Sequence, residues 1–364
     1  MVYYLRNKRK GRESDMKALR MFLLGGAVCA VLLGCVAVDP MQSAPTEPPL
    51  AATPAASQSV TIVLATPVAT DAPTPPPTPS PTPTASPTPS PTPSPTPTPE
   101  PLGVLDYTHA DLFSPDRVTD TDDTYQDDAR KITLTRYETT ERTGNTLVYF
   151  IADIWVQNPE DIRRGQAGGS FRLGSVASMK QIASDCNAIV ALSGDHVTKK
   201  DKAFVVVNGE LELDSRKYNR DLCVLYRDGV LETYSPSEIN ADAILARDPW
   251  NTWNFGPMLL DKDGQPLSKF NLPDTIGGPN PRAAIGYYEP GHYCLIIVDG
   301  RQKGYSMGLT LEELADLMCE LGCAAAYNLD GGISARMTWH NKQVNTTEKQ
   351  RTIHDIVYVG YPED

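Results

Sequence analysis

The chain has 364 residues and a formal net charge of -12. Its first 20 residues hold seven Lys/Arg against two Asp/Glu, so a basic head of net +5 precedes a body of net -17. An acidic body excludes nucleic acid as its partner, because phosphate binding of that kind needs clustered Lys and Arg.

The basic head runs into MFLLGGAVCAVLLGC, residues 21–35, with no charge until Asp39. A charged segment before a short apolar core is the pattern of a secretory signal. Its end, LLGC, resembles a bacterial lipobox, which would place a lipid on Cys35. The other reading is an uncleaved signal-anchor: the 18 apolar or small residues 21–38 are near the shortest span that crosses a bilayer. Both readings leave the basic side in the cytoplasm, export the rest and tether it to the membrane. The expected location is therefore extracytoplasmic.

Residues 39–101 read as a disordered linker. Positions 73–101 include 15 prolines, mostly alternating with Thr and Ser. Such a run has little to bury and little backbone freedom, so it predicts an extended polyproline-like spacer reaching roughly 90 Å at about 3.1 Å per residue.

Residues 102–364 are long enough for one domain with a real core. Strands are predicted at 146–156, 187–194 and 203–211. A hairpin follows at 221–234, turning at Arg227-Asp228-Gly229, and a second at 282–300, turning at Glu289-Pro290-Gly291. A closing strand is predicted at 354–361. Helices are expected at 175–186, at 235–244 from the box Ser235/Glu238 with Pro236, and at 310–322 from the box Thr310/Glu313. Strands outnumber helices, so the expected fold is a single α+β domain with a mixed or antiparallel sheet and packed helices. Five cysteines lie here without zinc spacing, and the sequence calls for no metal and no cofactor.

Four segments place polar residues and glycine after an apolar strand: ALSGDHV, FGPMLL with DKDG, PRAAIG joined to VDGRQKGYSMG, and NLDGG. Asp228-Gly229 and Asp263-Gly264 are explained by turn chemistry. Arg282, a guanidinium entering an apolar strand, is not, because such a group usually has an anion partner. Carboxylates at 195, 299 and 330 with arginines at 282 and 301 suit phosphoryl-sugar chemistry. Arginine grips phosphate oxygens in pairs, and carboxylates act as acid, base or nucleophile at an anomeric carbon. Trp250, Trp253, Phe255 and Trp339 are either sugar-stacking platforms or core, the latter being the commoner use of Trp.

The order ALSGD, FGP, PRAAIG, VDGRQ, NLDGG over residues 146–361 closely resembles the phosphodiester glycosidase family. That family includes the lysosomal enzyme that removes N-acetylglucosamine from a mannose 6-phosphate diester, and bacterial members linked to surface polysaccharide. Carried over onto this chain, the resemblance marks Asp195, Arg282, Asp299, Arg301, Ser306, Asn328, Asp330 and Ser334, with glycines 194, 331 and 332. It implies a hydrolase of a sugar-1-phosphodiester, its substrate a phosphorylated glycan or cell-wall polysaccharide. Asp330, Asp195 and Asp299 would be its catalytic carboxylates. Arg282 and Arg301 would hold the phosphodiester, while Ser306, Asn328, Ser334 and the Gly194, Gly331 and Gly332 amides would bind sugar or phosphate oxygens. Asp195, Arg282 and Asp330 should then share one cleft.

Two departures stand out: Ser193-Gly194 where the family reads Asn-Gly, and Ile333 and Ala335 in a loop where it prefers Gly and Ser. These keep open a non-catalytic module that binds surface polysaccharide, or a structural lipoprotein whose loops only hold turns.

Overall fold

The structure is a computed structural model and describes residues 107–114, 116–271, 274–347 and 349–362. The basic head, the apolar stretch with Cys35 and the proline-rich linker lie outside the described residues.

After a 3-10 turn at Tyr107–Leu112, the described chain forms a meander of β1 (Thr119–Asp120), β2 (Thr124–Gln126), β3 (Arg130–Thr139) and β4 (Leu147–Val156), of which the sequence announced only β4. Only β4 shows a continuous apolar run, while β3 is charged and largely solvated along its length. Next come β5 (Arg163–Gln166), α1 (Met179–Asp185) and β6 (Ala188–Ser193). The stretch read as one strand at 203–211 is a hairpin, β7 (Phe204–Val207) and β8 (Glu210–Asp214). Its turn is Asn208-Gly209 with φ of 48° and 86°, the pair of positive values that a two-residue hairpin loop demands.

The chain continues through β9 (Leu222–Tyr226), β10 (Leu231–Tyr234), α2 (Ala241–Ala246), β11 (Pro249–Trp253), α3 (Asp274–Gly277), β12 (Arg282–Glu289) and β13 (His292–Val298). It closes with α4 (Leu311–Glu320), β14 (Ala325–Leu329), β15 (Met337–Trp339), β16 (Lys342–Gln343) and β17 (Asp355–Gly360). Both predicted hairpins and the closing strand are present. The α4 helix starts at Thr310 with the expected capping box, its hydroxyl accepting from Glu313 N–H and the Glu313 carboxylate accepting from Thr310 N–H. The helix expected at 235–244 is corrected: Ser235 and Glu238 close a turn, and helix begins only at Ala241, capped by Asn240.

Strand order in the large sheet is β1-β2-β3-β4-β13-β12-β14, and every pairing is antiparallel. A second antiparallel sheet runs β16-β15-β6-β17-β5, and a third β10-β9-β11. The α+β expectation holds in outline, with antiparallel sheets and fewer, shorter helices.

Alternation along the strands explains the layers. Ala283, Ile285 and Tyr287 of β12 join Leu295 and Ile297 of β13 in a core shared with Val190, Leu192 and Val357 of the second sheet. The intervening residues, Ala284, Ile296 and Val298, face the other way onto Leu311, Leu314 and Met318 of α4. Helix α1 covers the far side of the second sheet through Met179, Ile182 and Ala183. The period of two thus sends each strand's side chains into two separate cores.

Candidate active site

The site gathers where β12, β14 and β6 end. The β12–β14 ladder stops at Ala283 opposite Leu329, which leaves Arg282 and Asp330 one step further on their respective strands. There the second sheet joins in. Asp330 N–H donates to the Gly194 carbonyl at 2.9 Å, and Ser193 Oγ donates to the Asp330 carbonyl at 3.0 Å. Strand pairing and these two contacts therefore bring Arg282, Asp330 and the Gly194-Asp195 turn to neighbouring strand ends.

Beside this edge lies a cavity of about 250 Å³, bounded by Arg282, Arg301, Asn328, Gly331 and Gly332 together with Arg351 and Asn280. Phe255, Ile276 and Ile333 supply its apolar wall. Arg282 is only 2% exposed. Its Nε donates to the Leu309 carbonyl at 2.9 Å, and one terminal nitrogen donates to the carbonyls of Ile276 and Gly278 at 2.8 and 2.7 Å. Among the described residues it forms no ion pair. Burial, with Arg301 adding like charge and Glu313 opposing, pushes its pKa down to about 10. Such a group is energetically primed for an anion.

Arg301 has φ of 60°, a left-handed backbone unusual for a side chain of its size, and donates twice to Asn280 Oδ1 at 2.9 and 2.6 Å. Gly332 sits against it: a Cβ there would stand 3.3 Å from an Arg301 terminal nitrogen. At Gly331 a Cβ would come within 2.8 Å of the Pro281 carbonyl, a steric requirement, whereas Gly332 is favoured by its left-handed φ of 59°. Asn328 donates to the Gly256 carbonyl at 2.7 Å, whereas its buried Oδ1 has no partner among the described residues. Ser334 Oγ is likewise buried and without a partner among the described residues.

Asp330 is 6% exposed, and its Oδ2 lies 3.7 Å from His196 Nδ1. Among the described residues its carboxylate accepts no hydrogen bond, so both oxygens keep acceptor capacity. The His196 ring stacks at a tilt on His354, with centroids 4.6 Å apart. Neither histidine was singled out in the sequence.

Asp195 lies differently. One oxygen accepts from His196 N–H at 2.9 Å and the other from Asn254 N–H at 2.8 Å. Its own N–H donates to Asp355 Oδ1 at 2.5 Å. Arg164 binds Asp355 through Nε at 2.9 Å and through a terminal nitrogen, which also lies 3.7 Å from Asp195 Oδ2. Burial raises the Asp195 pKa against the pull of Arg164, and Asp355 adds to the rise. Asp195, Arg164 and Asp355 border a void of only about 10 Å³, on the scale of a single water, separate from the large cavity. Gly194 is needed because a Cβ would fall 2.5 Å from Asp355 Oδ1. Of the three residues expected in one cleft, then, only Arg282 lines the large cavity: Asp195 borders the separate small void, and Asp330, although next to Gly331 in the chain, lines neither.

Asp299 and Ser306 are placed away from the cavity wall. Asp299 accepts from Asn345 Nδ2 at 3.1 Å, Thr346 N–H at 2.9 Å and Tyr305 hydroxyl at 2.9 Å; burial raises its pKa against these bonds. Ser306 Oγ donates to the Asp299 carbonyl at 2.6 Å and accepts from Val148 N–H at 3.2 Å. Both tie loops together. Trp250, Trp253 and Trp339 are buried in the core, leaving Phe255 alone of the four aromatics on the cavity. Ile333 is 41% exposed on the cavity wall, whereas Ala335 is buried in the core, where a serine would not meet the ligand.

Comparison with known proteins gives a match of residues 186–360 to the phosphodiester glycosidase family. The SPbeta prophage-derived uncharacterized protein YomE of Bacillus subtilis is 31% identical over 147 residues, covering 40% of this chain. The chain spans only 22% of that relative's length. The catalytic domain of zebrafish N-acetylglucosamine-1-phosphodiester alpha-N-acetylglucosaminidase shares the fold, with a TM-score of 0.51 and 17% identity over 64% of this chain and 84% of that one. A hypothetical protein from Synechocystis superposes with a TM-score of 0.48 and 14% identity, over 64% of this chain and 62% of that one.

Proposed function

From a chain whose residues 186–360 match the phosphodiester glycosidase family, we propose an exported hydrolase that cleaves a sugar-1-phosphodiester at the glycosidic C1–O bond. The observation that carries this reading is Arg282, a buried guanidinium bonded to carbonyls alone and bordering a cavity. Arg282 and Arg301 hold the phosphodiester oxygens, and Phe255 offers an apolar face to the sugar. Asn328 Oδ1, lacking a donor among the described residues, accepts from a sugar hydroxyl. Asp330 is the better placed of the carboxylates because its oxygens keep acceptor capacity, whereas both oxygens of Asp195 are taken by N–H groups. In this reading Asp330 acts at the anomeric carbon. Water supplies the new C1 oxygen, and the departing oxygen leaves on a phosphate monoester, which needs little protonation. The apolar stretch and linker would carry the domain outside the cell, held by lipid on Cys35 or by the uncleaved helix; Cys35→Ala releasing the protein into the medium would select the lipid.

The test is release of free sugar from an N-acetylglucosamine-1-phosphodiester by the purified chain. Asp330→Asn should lower the rate by about 10²–10⁴-fold while leaving the thermal midpoint in place. A second reading, a non-catalytic polysaccharide-binding module, draws on one observation: among the described residues no Asp or Glu borders the large cavity. Tight binding of the diester with no sugar released, from wild type and Asp330→Asn alike, would select that module.

A further inference from the structure

A phosphodiester carries one negative charge, yet three guanidinium groups border the cavity: Arg282, Arg301 and Arg351. Among the described residues none of the three pairs with a carboxylate. Arg282 is bonded to backbone carbonyls and Arg301 to the neutral Asn280 amide. The acid whose charge acts on Arg282 is Glu313, and its carboxylate is already engaged at Thr310 N–H, 2.9 Å away, in the α4 capping box. Collecting like charges around one cavity costs free energy unless the ligand returns it, and one charge answers only part of this set.

Arg351 is not there by accident of a loose loop. Arg336, 2% exposed, sends its two terminal nitrogens to the carbonyls of Lys349 and Arg351 at 2.7 and 2.8 Å. A buried guanidinium with no carboxylate partner among the described residues is an expensive fastening for a surface loop. It fixes the backbone from which the Arg351 side chain reaches the cavity wall. Arg336 also lies in the same stretch as the cavity glycines, four residues beyond Gly332, so one segment both shapes the cavity floor and secures its third cation.

We propose that this site takes a ligand with two anionic groups: a sugar-1-phosphodiester whose aglycone carries a second phosphate, the second group being held by Arg351. The inference rests on the reading of the cavity as a phosphodiester site and narrows its substrate class. Arg282 and Arg301 then serve the scissile diester, and Arg351 selects what is attached beyond it. A cavity of about 250 Å³ is small beside the ~300–1,000 Å³ of a drug-sized ligand site, so the rest of a longer substrate lies in solvent, outside Arg351.

Calorimetric titration of the full chain separates the possibilities, using two probes. One is the methyl diester of N-acetylglucosamine-1-phosphate; the other is the same sugar phosphate esterified to 2-hydroxyethyl phosphate. Wild type should bind the second probe roughly tenfold more tightly, the equivalent of one charge-assisted contact of about 1.4 kcal/mol. Arg351→Gln should lower affinity for the second probe about tenfold more than for the first, and Arg351→Lys should restore part of the difference. Equal affinities in wild type, an equal loss on both probes in Arg351→Gln, or no binding of either probe overturns the proposal. Free sugar is measured in the same samples. Preference without sugar release sinks the hydrolase reading and leaves this inference standing; release without preference does the reverse.

Discussion

Arg164 and Arg282 are both buried arginines set on strands, and their surroundings are opposites. Arg164 is closed in: Asp355 and Asp195 answer its charge, the Thr252 carbonyl takes a further N–H, and the void beside it is water-sized. Arg282 is open: carbonyls orient it, no carboxylate among the described residues pairs with it, and it borders a cavity twenty-five times larger than the 10 Å³ void. The difference teaches how to separate charge that builds the fold from charge that waits for a ligand. A closed network has its electrostatics settled within the protein, whereas an open one is completed from outside.

The comparison breaks most sharply at Arg164. Arg164→Met leaves two carboxylates buried without their cation and should destabilise the domain by about 3–5 kcal/mol, read as a lower urea midpoint at unchanged slope. A loss below about 1 kcal/mol would erase the distinction between the two regions. Arg282→Lys tests the open side. Lysine keeps the charge but loses the planar fork, so diester affinity should fall by about 10–100-fold with little change in thermal midpoint. A large stability loss without an affinity loss would make Arg282 another structural arginine.

A smaller effect is expected in the pH profile of stability, through His354. Burial first, and then His196, lower its pKa below the ordinary histidine value; Asp355, Asp330 and a hydrogen bond with the Ser175 backbone oppose that shift. The unfolded ring therefore takes up a proton first as pH falls. Stability from this group is complete above pH ~6.5 and is lost as pH drops below it. His354→Gln should flatten that acid limb when thermal midpoints are measured from pH ~7.5 to ~5. An unchanged limb would remove His354 from the account. The smallest effect belongs to Ile333→Gly, which should change stability by no more than about 0.5 kcal/mol because the side chain is 41% exposed. Its consequence should appear instead in which sugar is preferred, measured as relative kcat/KM.

Much of the frame was legible from local chemistry. The α4 capping box, the hairpin turns at Gly229 and Gly291 and the strand β4 depend on neighbours within a few residues. The first three strands were missed because β1 and β2 are only two and three residues long and the apolar alternation of β3 is confined to Ile132 and Leu134. The helix start at Ala241 was misread because Ser235 and Glu238 satisfy a turn equally well. In the site, Arg282, Arg301, Asn328 and the double glycine were visible through their odd settings and the family pattern. Arg164, Asp355, His196 and Arg351 were not. A charge flanking an apolar strand, as Asp355 does before IVYVG, was the only local sign of them.

The sequence by itself determined the acidic body, the basic and apolar head, the proline-rich composition of residues 73–101, the strand-rich α+β character of the domain and the family pattern around NLDGG. All of these follow from composition or from residues close together along the chain. Only the tertiary structure decided that Asp195 belongs to a closed ion network, that Asp299 staples loops, and that Arg351 joins Arg282 across 69 positions. Burial, charge partnership and access to a cavity depend on contacts between distant strands, and those contacts have no local signature in the chain.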